Sequence, residues 1–192
     1  LGLLVAAVGA VQPARADGQS WSYADTTEWN AAFPMCKGEE QSPINLTSGD
    51  VLGSPKDTLK DRLAYVPLKG REVFNNNTKN VQVNGGFGSL KLPDGVYDVK
   101  QFHFHFPAEH EVNGKVGAGE LHIVHQKRGS EGTNDLAVVG IILEEVPDSS
   151  LQRPELKFMR QLGFGEELPG EKMKVLVDAP LDLNAFVDEY MG

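Results

Sequence analysis

The chain has 192 residues, 40% of them hydrophobic, and a formal net charge of −9 with no run of lysine or arginine. The apolar content is enough for one sizeable core, which is the composition of a single globular domain. The acidic balance favours solubility and argues against nucleic acid or an anionic membrane surface as a partner.

The first 16 residues stand apart. Residues 1–11 are apolar, and Ala14-Arg15-Ala16 has the small-x-small form of a signal-peptidase site. About 11 apolar residues fall short of the ~20 needed to span a bilayer. Segment 1–16 therefore reads as the end of a targeting sequence, with 17–192 as the mature domain and its start near Asp17. The destination would be extracellular, periplasmic or an organelle lumen such as the thylakoid. In an oxidising compartment the lone Cys36 is expected either to be a buried free thiol or to have its partner outside this sequence.

Further along, turn signals recur at Asn84-Gly85-Gly86, Pro93-Asp94-Gly95, Asn113-Gly114, 129–132 and Pro147-Asp148. Between them lie short runs suited to strands, at 81–83, 89–92, 97–106, 120–125 and 136–143. The last is nearly all apolar and rich in β-branched residues, which predicts a central strand buried on both faces. Leu156, Met159 and Leu162 recur at helical spacing with Gly163 behind them, which predicts a helix over 152–162. There is no internal repeat, and the sum is a mainly β domain with one or two short helices.

All five histidines lie between positions 103 and 125: His103, His105, His110, His122 and His125. Imidazole is the commonest protein metal ligand, so the cluster is first a metal-site candidate. On a strand, alternate residues share a face, which puts Gln101, His103 and His105 together, and likewise Glu120, His122 and Val124. If the two strands are neighbours, His122 joins His103 and His105. Three histidines with an open fourth position is the pattern of a catalytic rather than a structural zinc. Gln101 and Glu120 each stand two residues before a candidate ligand, where they would hold its outward ring nitrogen. His125 points to the opposite face, and His110, beside Glu109 in a turn, reads as a hydrogen-bonded structural residue.

Two other readings of these residues stand beside this one. His103 and His105 alone are also what a solvent-facing strand would show, with Phe102, Phe104 and Phe106 buried behind them. His103, His105 and Glu109 also have the H-x-H-x3-E spacing of a cupin-type metal oxygenase. The glycine and Pro-x-Gly positions of that pattern are not matched by Tyr97 or by Gly119-Glu120-Leu121.

Taken together, Gln41-Ser42-Pro43-Ile44-Asn45-Leu46, Gln101-Phe102-His103-Phe104-His105, Glu109-His110 and Glu120-Leu121-His122-Ile123-Val124-His125 resemble the eukaryotic-type, α-class carbonic anhydrases. Leu136-Ala137-Val138-Val139-Gly140-Ile141 resembles that family's next core strand. The resemblance runs from about Trp21 to about Tyr190. It implies a large, mostly antiparallel twisted sheet with short peripheral helices. It implies Zn²⁺ on His103, His105 and His122, with Gln101 and Glu120 behind them. It makes Glu109 the gatekeeper carboxylate that orients a threonine, and Val124 and Val138 the apolar wall for CO2. The implied reaction is reversible hydration of CO2 to bicarbonate and a proton, by attack of zinc-bound hydroxide. An enzyme-dead carbonic-anhydrase-like binding module is the alternative within the family; such modules typically lose a zinc histidine, and all three are present.

Two departures from the pattern stand out. The family's proton-shuttle histidine is expected near Asn75-Asn76-Asn77-Thr78, and none is there. The family's Gly-Ser-Leu-Thr-Thr-Pro-Pro-Cys segment, with the gatekeeper's threonine and a cysteine expected to pair with Cys36, does not occur before Gly192. The sequence is accordingly expected to be an incomplete chain lacking its C-terminal part and, expressed alone, a poor catalyst.

Overall fold

The structure is a computed structural model that describes residues 3–8, 26–47, 59–75, 80–146 and 153–187. In chain order the strands are β1 (Leu3–Val8), β2 (Asn45–Leu46), β3 (Leu63–Tyr65), β4 (Arg71–Asn75), β5 (Val81–Asn84), β6 (Gly88–Leu92), β7 (Gly95–His105), β8 (Glu111–Val112), β9 (Lys115–Val116), β10 (Gly119–Lys127), β11 (Leu136–Leu143) and β12 (Lys174–Val177). Two short α-helices, α1 (Trp29–Ala32) and α2 (Pro154–Gln161), lie among them. Nine of these strands form one sheet whose main path is β1-β11-β10-β7-β5-β4-β12, with β6 also on β7 and β3 on β6. Every pairing in it is antiparallel. A small second sheet joins β2, β8 and β9.

The turns are those the sequence announces. Asn113 and Gly114 both take positive φ, 50° and 73°, and close the β8–β9 hairpin in two residues, because a tight hairpin needs left-handed backbone at both positions. α2 starts on Pro154, whose missing N–H costs nothing at a helix start. It gives way to Gly163 at φ +95°, where a Cβ would meet the Glu167 carbonyl oxygen at 2.4 Å. The predicted helix is thus found, trimmed at both ends.

One face of the sheet carries the core. Val83, Phe102, Phe104, Leu121, Ile123, Val139 and Ile141 are buried there. Phe102 meets Phe87 at 5.2 Å and Phe158 of α2 at 5.5 Å between ring centroids, and Phe158 meets Phe186 at 5.2 Å. These offset and edge-on contacts clamp α2 beneath the sheet.

A bulge decides what the other face carries. Along β7 the buried apolar residues are Tyr97 and Val99, then Phe102 and Phe104. The parity changes because Val99 opposes His125 and Gln101 opposes Val124, with Lys100 inserted between. An extra residue in one strand re-aims everything beyond it. Here it turns Gln101, His103 and His105 away from the core.

Two expectations change. β11 is flanked on both sides but stands next to the end of the sheet, and its Val138 is only half-buried, because that face opens onto the histidines. Cys36 is a free thiol and is exposed, on the turn Pro34–Lys37, not buried. Leu3–Val8, within the segment read as a targeting sequence, lies as β1 along β11. The proposed cleavage site at 14–16, positions 76–78 of the sought shuttle region and the Pro147-Asp148 turn lie outside the described residues. No helix among the described residues is long and apolar enough to cross a membrane.

Candidate metal centre

β7 and β10 are neighbours, with His122 directly opposite His103 and Glu120 opposite His105. The three rings form a near-equilateral set, with centroids 4.8, 4.9 and 5.2 Å apart. Each offers one ligand atom, and those atoms lie within 4.8 Å of one another. Gly140 of β11 sits opposite His122 on its other side and adds no side chain.

The outward nitrogens face acceptors. His103 Nδ1 bonds Gln101 Oε1 at 2.8 Å, which leaves Nε2. His105 Nδ1 lies 3.2 Å from Glu109 Oε1, which again leaves Nε2. His122 turns the other way: its Nε2 lies 2.8 Å from Glu120 Oε1, which leaves Nδ1. That last contact is short but off the N–H axis, so His122 Nε2 is a buried nitrogen without an aligned hydrogen bond. Neutral imidazoles are what a metal needs. Burial, aided by the neighbouring rings of His105 and His122, pushes His103 down to about 3. Burial lowers His105 as well, against the pull of Glu109. Three converging rings, His105 and His122 buried and His103 half-buried, with one nitrogen apiece to spare, fit a borderline-soft divalent ion such as Zn²⁺.

Glu120 is fully buried. Burial works to raise its carboxyl, but the hydrogen bond from the His110 ring, the close approach of the His122 ring and the His110 backbone N–H outweigh it and hold it well below the usual range. A second group, His110, Glu120 and His122, also brings three ligand types together. Its contacts of 2.6 and 2.8 Å are those of shared protons. Ligands around a tetrahedral zinc stand about 3.3 Å apart, given bond lengths near 2.0–2.1 Å. Glu109 stands at the edge of the trio, its second oxygen 3.9 Å from His122 Nδ1.

Val124 and Val138 are cross-strand partners on the same face, so the structure brings the two expected wall residues together beside the histidines. His125 faces the core, as its parity requires. Its Nε2 is 3.1 Å from the Tyr65 hydroxyl and its Nδ1 is 3.3 Å from the Ala137 carbonyl. His110 is buried and hydrogen-bonded, as read from the sequence. Reading from sequence missed Gln82, which sits opposite His103 on β5 and donates to Asn84 Oδ1 at 2.7 Å. The alternation Val81-Gln82-Val83-Asn84 carried that signal, two polar side chains turned away from two buried valines.

A family model of eukaryotic-type carbonic anhydrase matches residues 24–182. The chain belongs to the eukaryotic-type carbonic anhydrase family. A carbonic anhydrase of Nostoc sp. is 38% identical over 143 residues, covering 69% of this chain and 51% of that protein. The α-carbonic anhydrase of Photobacterium profundum superposes with a TM-score of 0.71 at 25% identity, over 90% of this chain and 73% of that one. The α-carbonic anhydrase of Thermovibrio ammonificans, solved with the inhibitor sulfanilamide, gives 0.69 at 27% identity over the same shares. The chain spans about half the length of the curated relatives it matches. The large antiparallel carbonic anhydrase sheet replaces the cupin reading of His103, His105 and Glu109.

Proposed function

We propose that this carbonic anhydrase chain hydrates CO2 reversibly at a zinc ion held by His103 Nε2, His105 Nε2 and His122 Nδ1. The observation that carries the reading is the trio itself: two buried rings and one half-buried ring within ligand distance, each with its outer nitrogen against an acceptor. When bound, zinc lowers the pKa of a coordinated water from 15.7 to about 7 and so supplies a nucleophile at neutral pH. The residues do the rest. Gln101 and Glu120 fix the tautomers of His103 and His122. Val124 and Val138 give CO2 an apolar wall and exclude competing water. Glu109 is the gatekeeper carboxylate, an acceptor-only group beside His105 and His122 that admits a hydrogen-bond donor and repels an anion.

The test is zinc stoichiometry and CO2 hydration of the purified protein, with sulfanilamide as competitor. One zinc per chain, hydration activity and zinc-dependent sulfanilamide inhibition are the expected results. Bound zinc with no hydration would favour the enzyme-dead binding module, and iron in place of zinc would refute the assignment. We also propose an exported protein, on the strength of residues 1–16; intact mass of the mature protein should place its first residue near Asp17.

A further inference from the structure

β12 ends one side of the large sheet: it pairs with β4, and no described strand lies along its outer edge. An edge strand is a template for another strand unless charge or proline blocks it. Here the block is weak. The strand reads Lys174-Val175-Leu176-Val177, and its one charge is drawn back onto its own sheet, with Lys174 Nζ 2.8 Å from Glu72 Oε2 on β4. Met173, Val175 and Leu176 are 60%, 50% and 59% exposed. We propose that β12 is a self-association edge, along which a second copy of this chain lays its own β12 antiparallel and joins the two sheets into one.

The backbone sets the register. Asn75 donates to the Met173 carbonyl at 3.2 Å and accepts from the Lys172 N–H at 2.9 Å. Asn75 thus points its polar groups at β12, and by alternation so do Val73 and Arg71, whose partners are Val175 and Val177. The N–H and C=O groups of Lys174 and Leu176 point the other way, off the sheet, and meet no backbone partner among the described residues. An antiparallel copy with its two-fold axis at Val175 sets Lys174 against Leu176 of the second copy, and Leu176 against its Lys174. Both are hydrogen-bonded pairs, and each exchanges two bonds. Centring on Leu176 would pair only that residue within the strand, and centring on Lys174 would set lysine on lysine.

The same register suits the side chains. Val175 lies on the core face, opposite fully buried Val73, so two copies of Val175 continue the apolar layer across the seam. Leu176 lies on the other face, opposite Glu72, and covers the stem of the second copy's Lys174. Beyond the strand, exposed Lys172 comes opposite exposed Asp178 of the second copy, a cation facing an anion at each end. β5 and β4 stand between β12 and the histidine-bearing β7, so the association leaves the metal centre open.

Sedimentation velocity of the purified protein over a concentration series tests this. The expected result is a reversible monomer–dimer equilibrium with a dissociation constant on the order of micromolar, since one short strand pair buries less than a standard interface. Leu176→Lys, which faces the second copy's Lys174, should weaken it about tenfold while the circular dichroism spectrum stays unchanged. Disulfide trapping fixes the register, in a Cys36→Ser background because Cys36 is an exposed thiol. Val175→Cys should link two chains on mild oxidation, because its two Cα atoms would stand about 4.5 Å apart, within disulfide reach. Leu176→Cys should not, because its copies stand diagonally at about 7–8 Å. A wild-type protein that is monomeric throughout the series would overturn the proposal, as would linking by Leu176→Cys and not by Val175→Cys. Amide exchange separates the other occupant: slow exchange at Lys174 and Leu176 in a monomer would assign the edge to a further segment of the same chain and refute self-association.

Discussion

His122 and His125 stand three residues apart on β10, both buried, on opposite faces of the sheet. On the core face, His125 has a hydroxyl at one nitrogen and a carbonyl at the other, so both ring atoms are matched. On the site face, His122 has one nitrogen against Glu120 and the other turned toward two further histidines. Burial alone therefore does not mark a functional histidine. What marks it is a nitrogen whose surroundings offer no protein partner suited to it, repeated in its neighbours. The core-face ring is a hydrogen-bonded filler among aromatic and aliphatic side chains, and the site-face ring keeps a nitrogen turned toward two further imidazoles.

The comparison breaks most sharply at His122. His122→Ala should remove the zinc and abolish CO2 hydration, read by metal analysis and stopped-flow assay; a zinc stoichiometry still at one would show that the two faces were wrongly sorted. Next in size, Gln101→Ala and Glu120→Ala should each weaken zinc affinity by roughly 10–100-fold while leaving some activity. Unchanged chelator competition in both variants would remove these two residues from the site. His125→Phe should do the opposite. It leaves zinc affinity as it was and costs about 1–3 kcal/mol of stability in urea, because the Tyr65 hydroxyl loses its buried acceptor. Loss of zinc binding in a folded His125→Phe protein would erase the distinction between the faces.

The smallest effect is a pH slope. Burial pushes His125 from 6.5 down to about 4. The unfolded chain therefore takes up the proton first, and stability is complete above about pH 6.5 and drains as pH falls toward 4. His103 is shifted in the same direction, to about 3. Urea titrations of the metal-free protein from pH 7.5 to 4.5 should show this decline, and His125→Gln should flatten it in part. An unaltered slope in that variant would assign the acid sensitivity to the site face alone.

Much of the centre was legible in the residues. Alternation on two strands placed Gln101, His103 and His105 on one face and Glu120, His122 and Val124 on another, and both groupings hold. The assignment of His125 to the opposite face holds for the same reason, since a strand has a side-chain period of two. The helix end at Gly163 and the Asn113-Gly114 turn were legible because left-handed backbone restricts residue choice. The bulge at Lys100 was not. Within β7 the apolar positions change parity between Val99 and Phe102, and only pairing with β10 shows where the extra residue sits. Nor was the reach of Ser42 to His110 legible, across 68 positions of chain.

By itself, then, the sequence determined the mainly β architecture, the two histidine-bearing strands and the side-chain chemistry of the centre, because these follow from local periodicity and residue type. Tertiary structure alone decided that the two strands pair with His122 against His103, that each outer nitrogen meets its own acceptor, and that an N-terminal serine stands behind a carboxylate on β10. Register and long-range hydrogen bonds are set by how separate strands dock, and the spacing of residues along a single strand carries no record of its partner.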